Sequence, residues 1–161
     1  MKNINAKEVL EIAIQNEKNG VKFYTNMAER AEKPALKEMF NGFVKDEANH
    51  VKVIKNLLNA ILEEGKELSY YDDPEELLYL QAISGSVLFS DDFASPIIKE
   101  AMNDTLSALH YAVGIEIKSI EFYYQVVQLV ASEDSKKVIG DLIVQEKGHV
   151  KSLYKMIKDC E

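Results

Sequence analysis

Glu47 and His50, in the stretch KDEANHVK, stand three residues apart, and the same Glu-x-x-His spacing returns at Glu146 and His149 in VQEKGHVK. On a helix this spacing puts both side chains on one face, and a carboxylate oxygen beside an imidazole nitrogen is a donor set for a divalent transition-metal ion. One such pair is commonplace on a solvated helix surface. Here both pairs lie on apolar stripes. Phe40, Phe43, Glu47, His50, Ile54, Leu57 and Ile61 follow an unbroken three-four alternation, and Ile139, Leu142, Glu146, His149, Leu153 and Met156 repeat it. Two further stripes each carry a single glutamate: Glu17 among Leu10, Ala13, Tyr24, Met27 and Ala31, and Glu116 among Leu109, Val113, Ile120, Tyr123, Val127 and Val130. Four helices would therefore each send one glutamate inward, and two of them add a histidine one turn later.

Four ionised carboxylates gathered in a low-dielectric interior repel one another and lose their hydration, at a cost of several kcal/mol per ion. Two divalent cations neutralise the four glutamates and leave the histidines as neutral ligands, which would bring the formal charge of −8 to about −4. The candidate metal residues are thus Glu17, Glu47, His50, Glu116, Glu146 and His149. Tyr24 and Tyr123 each follow a stripe glutamate by seven residues. A buried phenol needs a partner, so either packs in the core or hydrogen-bonds a ligand carboxylate.

These residues are related by an internal repeat. An offset of 99 residues lays AIQNEKNGVKFY over AVGIEIKSIEFY and KDEANHVK over VQEKGHVK, pairing Glu17 with Glu116, Tyr24 with Tyr123, Glu47 with Glu146 and His50 with His149. The elements that carry them are all helical, because apolar residues recur at three- and four-residue intervals throughout and never alternate as in strands. The first helix should open at Asn5, with Glu8 completing a capping box, and run to about Ala31. The second should run from about Pro34 to about Glu64 with Gly65 as its stop, the third from near Asp104 to near Ser132, and the fourth from about Asp134 to Lys158. Short connections make hairpins of about 5–64 and about 104–158. The intervening crossover, about 65–103, contains a short helix expected around Glu75–Ile83 and lets the third helix run parallel to the second. The fold class is all-α: a ferritin-like four-helix bundle of two antiparallel hairpins joined by a long crossover, within a single domain spanning 1–161.

With two Glu-x-x-His motifs and two stripe glutamates at a common offset, the sequence resembles the rubrerythrin-type members of the ferritin-like di-iron superfamily, over both hairpins. The resemblance implies that Glu47 with His50 holds one metal ion and Glu146 with His149 the other, with some of the glutamates bridging. It implies two iron ions, although manganese or zinc suits the same ligands. It also implies reduction of hydrogen peroxide or dioxygen in oxidative-stress defence, and a homodimer. The chain departs from the family in two respects. Where a typical rubrerythrin has a further glutamate one turn after the ligand of the third helix, this chain has Ser119, whose repeat mate is Gly20. This pair is expected to leave room beside the metals for solvent or oxidant. There is also no rubredoxin-like set of Cys-x-x-Cys motifs, so electrons would come from a separate donor protein.

Two other functions use the same residues: a ferroxidase feeding iron storage, and a structural bundle holding zinc or manganese without redox turnover. Composition narrows the remainder. With 19 basic against 27 acidic residues, neither nucleic acid nor an anionic membrane is the expected partner. The single cysteine, Cys160, permits no internal disulfide and points to a reducing compartment. No apolar run reaches the roughly 18 residues of a membrane span and no signal peptide is visible, so a cytoplasmic location is expected. His110 and Glu121 fall off the inward faces and are expected to be solvent-exposed.

Overall fold

Asn5 turns extended chain into helix α1 (Ala6–Arg30): its side chain accepts the Glu8 N–H at 3.0 Å while the Glu8 carboxylate accepts the Asn5 N–H at 3.2 Å, which is the capping box the sequence predicts. This computed structural model describes residues 5–63, 75, 79 and 104–160. Helix α1 ends where Ala31 becomes extended, and Pro34 opens α2 (Pro34–Glu63) at a first-turn position that has no need of an N–H. Asp104 opens α3 (Thr105–Leu129) by accepting both the N–H and the hydroxyl of Ser107, at 2.9 and 2.6 Å. Helix α3 stops three residues short of the expected Ser132 because Ser132 is already committed to α4 (Glu133–Cys160): its hydroxyl accepts the Ser135 N–H and its carbonyl the Lys136 N–H. Glu133 and Asp134 then complement the positive end of α4. Most of the expected crossover, including the Gly65 stop, lies outside the described residues; Glu75 and Tyr79, inside the expected short helix, are both helical.

Each hairpin packs closely on itself, and the two meet face to face. Tyr24 of α1 reaches Glu116 of α3, and Tyr123 of α3 reaches Glu17 of α1, so residue numbers rise in one helix as they fall in the other: α1 and α3 are antiparallel. The contacts His50–Gln145 and Asp46–His149 show the same for α2 and α4. Because α1 is antiparallel to both α2 and α3, helices α2 and α3 run parallel, as a long crossover requires. The paired registers place apolar layers on both sides of the polar middle. Leu10, Ile54, Ile139 and Leu142 close one side, and Phe40, Phe43, Leu109 and Leu153 the other, all buried.

One stripe differs from the expectation. On α3, Leu109, Glu116, Tyr123 and Val130 are buried as read, but Val113, Ile120 and Val127 are only half-buried, and Ala112, Ile115, Ser119, Phe122 and Val126 fill the interior instead. Both rows have three-four spacing and both are mostly apolar, so periodicity alone does not choose between them. Among the described residues, no helix is long and apolar enough to cross a membrane.

Candidate metal centre

The six residues singled out by spacing come together at mid-bundle, each at most 4 % exposed. His50 Nδ1 lies 3.0 Å from Glu17 Oε2, 3.0 Å from Glu146 Oε1 and 3.7 Å from Glu47 Oε2. His149 Nδ1 lies 3.0 Å from Glu146 Oε2, 3.4 Å from Glu47 Oε1 and 3.5 Å from Glu116 Oε1. Two four-residue clusters result, Glu17–Glu47–His50–Glu146 and Glu47–Glu116–Glu146–His149, each with its potential ligand atoms within 4.8 Å of one another. Glu47 and Glu146 belong to both. Each turns one oxygen toward His50 and the other toward His149, the disposition of a carboxylate shared between two ions. His110 and Glu121 are exposed, as expected from their faces.

The tyrosines are tied crosswise. The Tyr24 hydroxyl donates to Glu116 Oε1 and the Tyr123 hydroxyl to Glu17 Oε1, so each phenol fixes the unshared glutamate of the opposite hairpin. Tyr24 is also clasped by Phe40 and Phe43, and Phe43 packs on the His149 ring at a centroid distance of 4.3 Å. Two participants escape sequence reasoning. His50 Nε2 meets Gln145 Oε1 at 3.2 Å, and His149 Nε2 meets Asp46 Oδ2 at 3.3 Å. Asp46 and Gln145 each immediately precede a shared glutamate and are mates under the 99-residue repeat, which is the signal that would have found them. With Nε2–H donated outward, each imidazole turns Nδ1 to the interior, where it carries a proton in the ion-free chain and would offer its lone pair once a bound ion displaced that proton. Gly20 and Ser119 are both buried, and the Ser119 hydroxyl has no hydrogen-bond partner among the described residues.

Electrostatics decide whether these residues suit metal ions. Among the described residues, both oxygens of Glu47 and of Glu146, Glu116 Oε2 and His149 Nδ1 are buried without a hydrogen-bond partner, a set of ligand atoms that a folded chain does not leave unmatched unless something else satisfies them. The close His50–Glu146 contact is ionic; the directed hydrogen bond of His50 Nδ1 goes to Glu17. Burial, then the charges of Glu17 and Glu146, push the Glu47 carboxyl well above the usual range, and burial with the charge of Glu146 lifts Glu116 to about 8. Burial acts against the protonated imidazoles, but the surrounding carboxylates outweigh it, holding His149 up to about 10 and His50 higher still. Burial likewise opposes ionisation of Glu146, yet both histidines hold it down to about 2. Without metal, then, the cluster balances its charge with protons, and ions that bind must displace them. The residues fit a pair of divalent ions.

A pH dependence follows. The raised values favour the folded, ion-free chain at low pH, and that contribution is lost as pH rises from 4.5 to about 8 through Glu116 and from 6.5 to about 10 through His149. Ion binding, which needs the deprotonated groups, strengthens over the same interval. The gap in Tm between Mn(II)-loaded and chelator-treated protein should therefore widen between about pH 6 and about pH 8.5. A constant or narrowing gap in thermal unfolding would contradict this electrostatic account.

Comparison with known proteins places this geometry. A crystallised Thermotoga maritima protein, described as a ferritin-like diiron-carboxylate protein, aligns with 100 % of this chain and 99 % of its own at a TM-score of 0.71 and 20 % identity. The fold is thus that of the ferritin-like proteins, here built around a buried carboxylate and histidine cluster. The rubrerythrin family model matches residues 8–87, which include Glu17, Glu47 and His50. The first half of the chain is thus similar to the rubrerythrin family, and the fold of the whole chain is similar to that of a ferritin-like protein. A search of curated proteins gave no significant match.

Proposed function

We propose that this protein is a non-haem di-iron oxidoreductase that reduces hydrogen peroxide or dioxygen, with Glu17, Glu47, His50, Glu116, Glu146 and His149 holding the two ions and Glu47 and Glu146 shared between them. The observation that carries this reading is the pair of carboxylates that each face both imidazoles in a water-poor interior. A ferrous pair bound there supplies one electron from each ion, so that hydrogen peroxide, two electrons and two protons give two molecules of water. The chain's own groups set the conditions. The Tyr24 and Tyr123 hydroxyls hold Glu116 and Glu17 in place, and burial with the neighbouring carboxylates raises both phenols well above 10, so they keep their protons as donors. The apolar layers above and below exclude bulk water, which preserves the strength of these contacts. Gly20, with no side chain, and Ser119, with a small one, each stand one turn beyond Glu17 and Glu116 on the same face. Re-reduction falls to a separate electron-donor protein, because the single cysteine cannot build an iron–sulfur site in this chain. A cytoplasmic homodimer is the working assembly in this reading.

The test is anaerobic loading with two equivalents of Fe(II), followed by rapid mixing with peroxide. One peroxide should be consumed per two Fe(II) oxidised, with ferric absorption appearing at the same rate and turnover resuming when an artificial reductant is added. Protein that accumulates many ferric ions per chain in a large hollow assembly would instead be a storage ferroxidase. Protein that holds zinc or manganese and leaves peroxide untouched would be a structural bundle. Either result overturns the proposal.

A further inference from the structure

The repeat gives the two halves of the centre the same ligand residues, but not the same groups behind the imidazoles. His149 donates its Nε2–H to Asp46, a carboxylate, while His50 donates to Gln145, a neutral amide, at nearly equal distances of 3.3 and 3.2 Å. The orientation of the amide is fixed, because its NH2 group donates to the Asp141 carbonyl at 3.3 Å, which leaves Oε1 to face His50. Charge, rather than distance, distinguishes the two braces. A carboxylate acceptor draws the Nε2 proton outward and makes Nδ1 the stronger electron-pair donor, and it places an additional negative charge near that ion. The halves differ in packing too: Phe43 holds the His149 ring at 4.3 Å, whereas its repeat mate is Leu142, which has no ring to offer.

We infer that the two metal positions are unequal, the one at His149 binding its ion more tightly than the one at His50, and that Asp46 and Gln145 are the positioning residues that set this order of loading. The Asp46 side chain is 54 % exposed, so solvent screens its charge. The difference in affinity therefore lies toward the lower end of what such bracing groups contribute, about tenfold. The site fills in sequence: the position backed by Asp46 first, the one backed by Gln145 second. The inference rests on the two-ion reading of the centre and not on the oxidant.

Calorimetric titration of metal-free protein with Co(II) tests it. The unsubstituted protein should bind two ions in two steps whose dissociation constants differ by about tenfold. Asp46→Asn should weaken the first step until the two merge to within about threefold, and Gln145→Glu should tighten the second step by about the same factor that Asp46→Asn costs the first. At one equivalent of Co(II), the hyperfine-shifted exchangeable imidazole proton in the NMR spectrum should be lost in His149→Gln and retained in His50→Gln. Both bracing substitutions are close in size to the original side chain and lie at the surface, and circular dichroism verifies that the helices persist. Equal constants in the unsubstituted protein, a ratio that neither substitution moves, or a first-equivalent signal that follows His50 would each overturn the inference while leaving the dinuclear site standing. Protein that takes up fewer than two Co(II) would overturn the site itself and the inference with it.

Discussion

Glu47→Gln and Glu146→Gln should each abolish retention of the ion pair, whereas Glu17→Gln and Glu116→Gln should each leave one ion bound. The distinction follows from membership: Glu47 and Glu146 occur in both four-residue clusters, while Glu17 and Glu116 occur in one each. A glutamine at position 47 or 146 offers a single uncharged oxygen where the chain had one carboxylate oxygen facing each imidazole, so both positions lose a ligand and the charge that balanced them. Groups that merely brace a ligand cost about 10–100-fold in metal affinity when removed, so loss of a shared ligand should exceed about 100-fold at both positions. Equilibrium dialysis followed by metal analysis reads the result directly, at two ions per chain for the unsubstituted protein. If Glu47→Gln kept two ions while Glu17→Gln lost both, the shared role would belong to the wrong pair.

Removing the ions should lower Tm by about 10–20 °C. Each ion present at a hundred times its dissociation constant stabilises the fold by about 2.7 kcal/mol. For a chain of this size each kcal/mol moves Tm by about 2–4 °C. The ion-free fold keeps its carboxylates buried, and their mutual repulsion is relieved only by protons. A second arm follows: at about pH 9, where Glu116 must give up a proton that it holds to about 8, chelator-treated Glu116→Gln should melt higher than chelator-treated unsubstituted protein. Thermal unfolding with and without chelator tests both. A chelator-insensitive melt would mean that the carboxylates are balanced without metal, and a lower melt for ion-free Glu116→Gln would mean that its charge is not a burden.

Much of this architecture is legible in the residues. The Asn5–Glu8 capping box, Asp104 as a helix start and the three-four stripes place the helices to within a few residues, since caps and periodicity are local properties. The six inward acids and imidazoles are legible because a charged residue on an apolar stripe contradicts its surroundings, and the repeat shows the contradiction twice. What escapes depends on distance across the bundle. Asp46 and Gln145 sit one position from the inward stripe, about 100° around the helix, and meet a histidine only because α2 and α4 approach each other antiparallel. Which glutamates are shared is equally invisible, because it depends on where two side chains point once four helices have closed. The α3 stripe was ambiguous for another reason: two neighbouring apolar rows satisfy the same spacing, and only packing selects between them.

Tyr24, Tyr123, Asp46 and Gln145 each make a hydrogen bond that reaches from one half of the chain to the other. Neither half is self-sufficient, and an ancestral single hairpin would have needed a twin to complete its own centre. Once two copies share one polypeptide, each can mutate without imposing the change on its mate. Aspartate at 46 opposite glutamine at 145 is one such difference between mates.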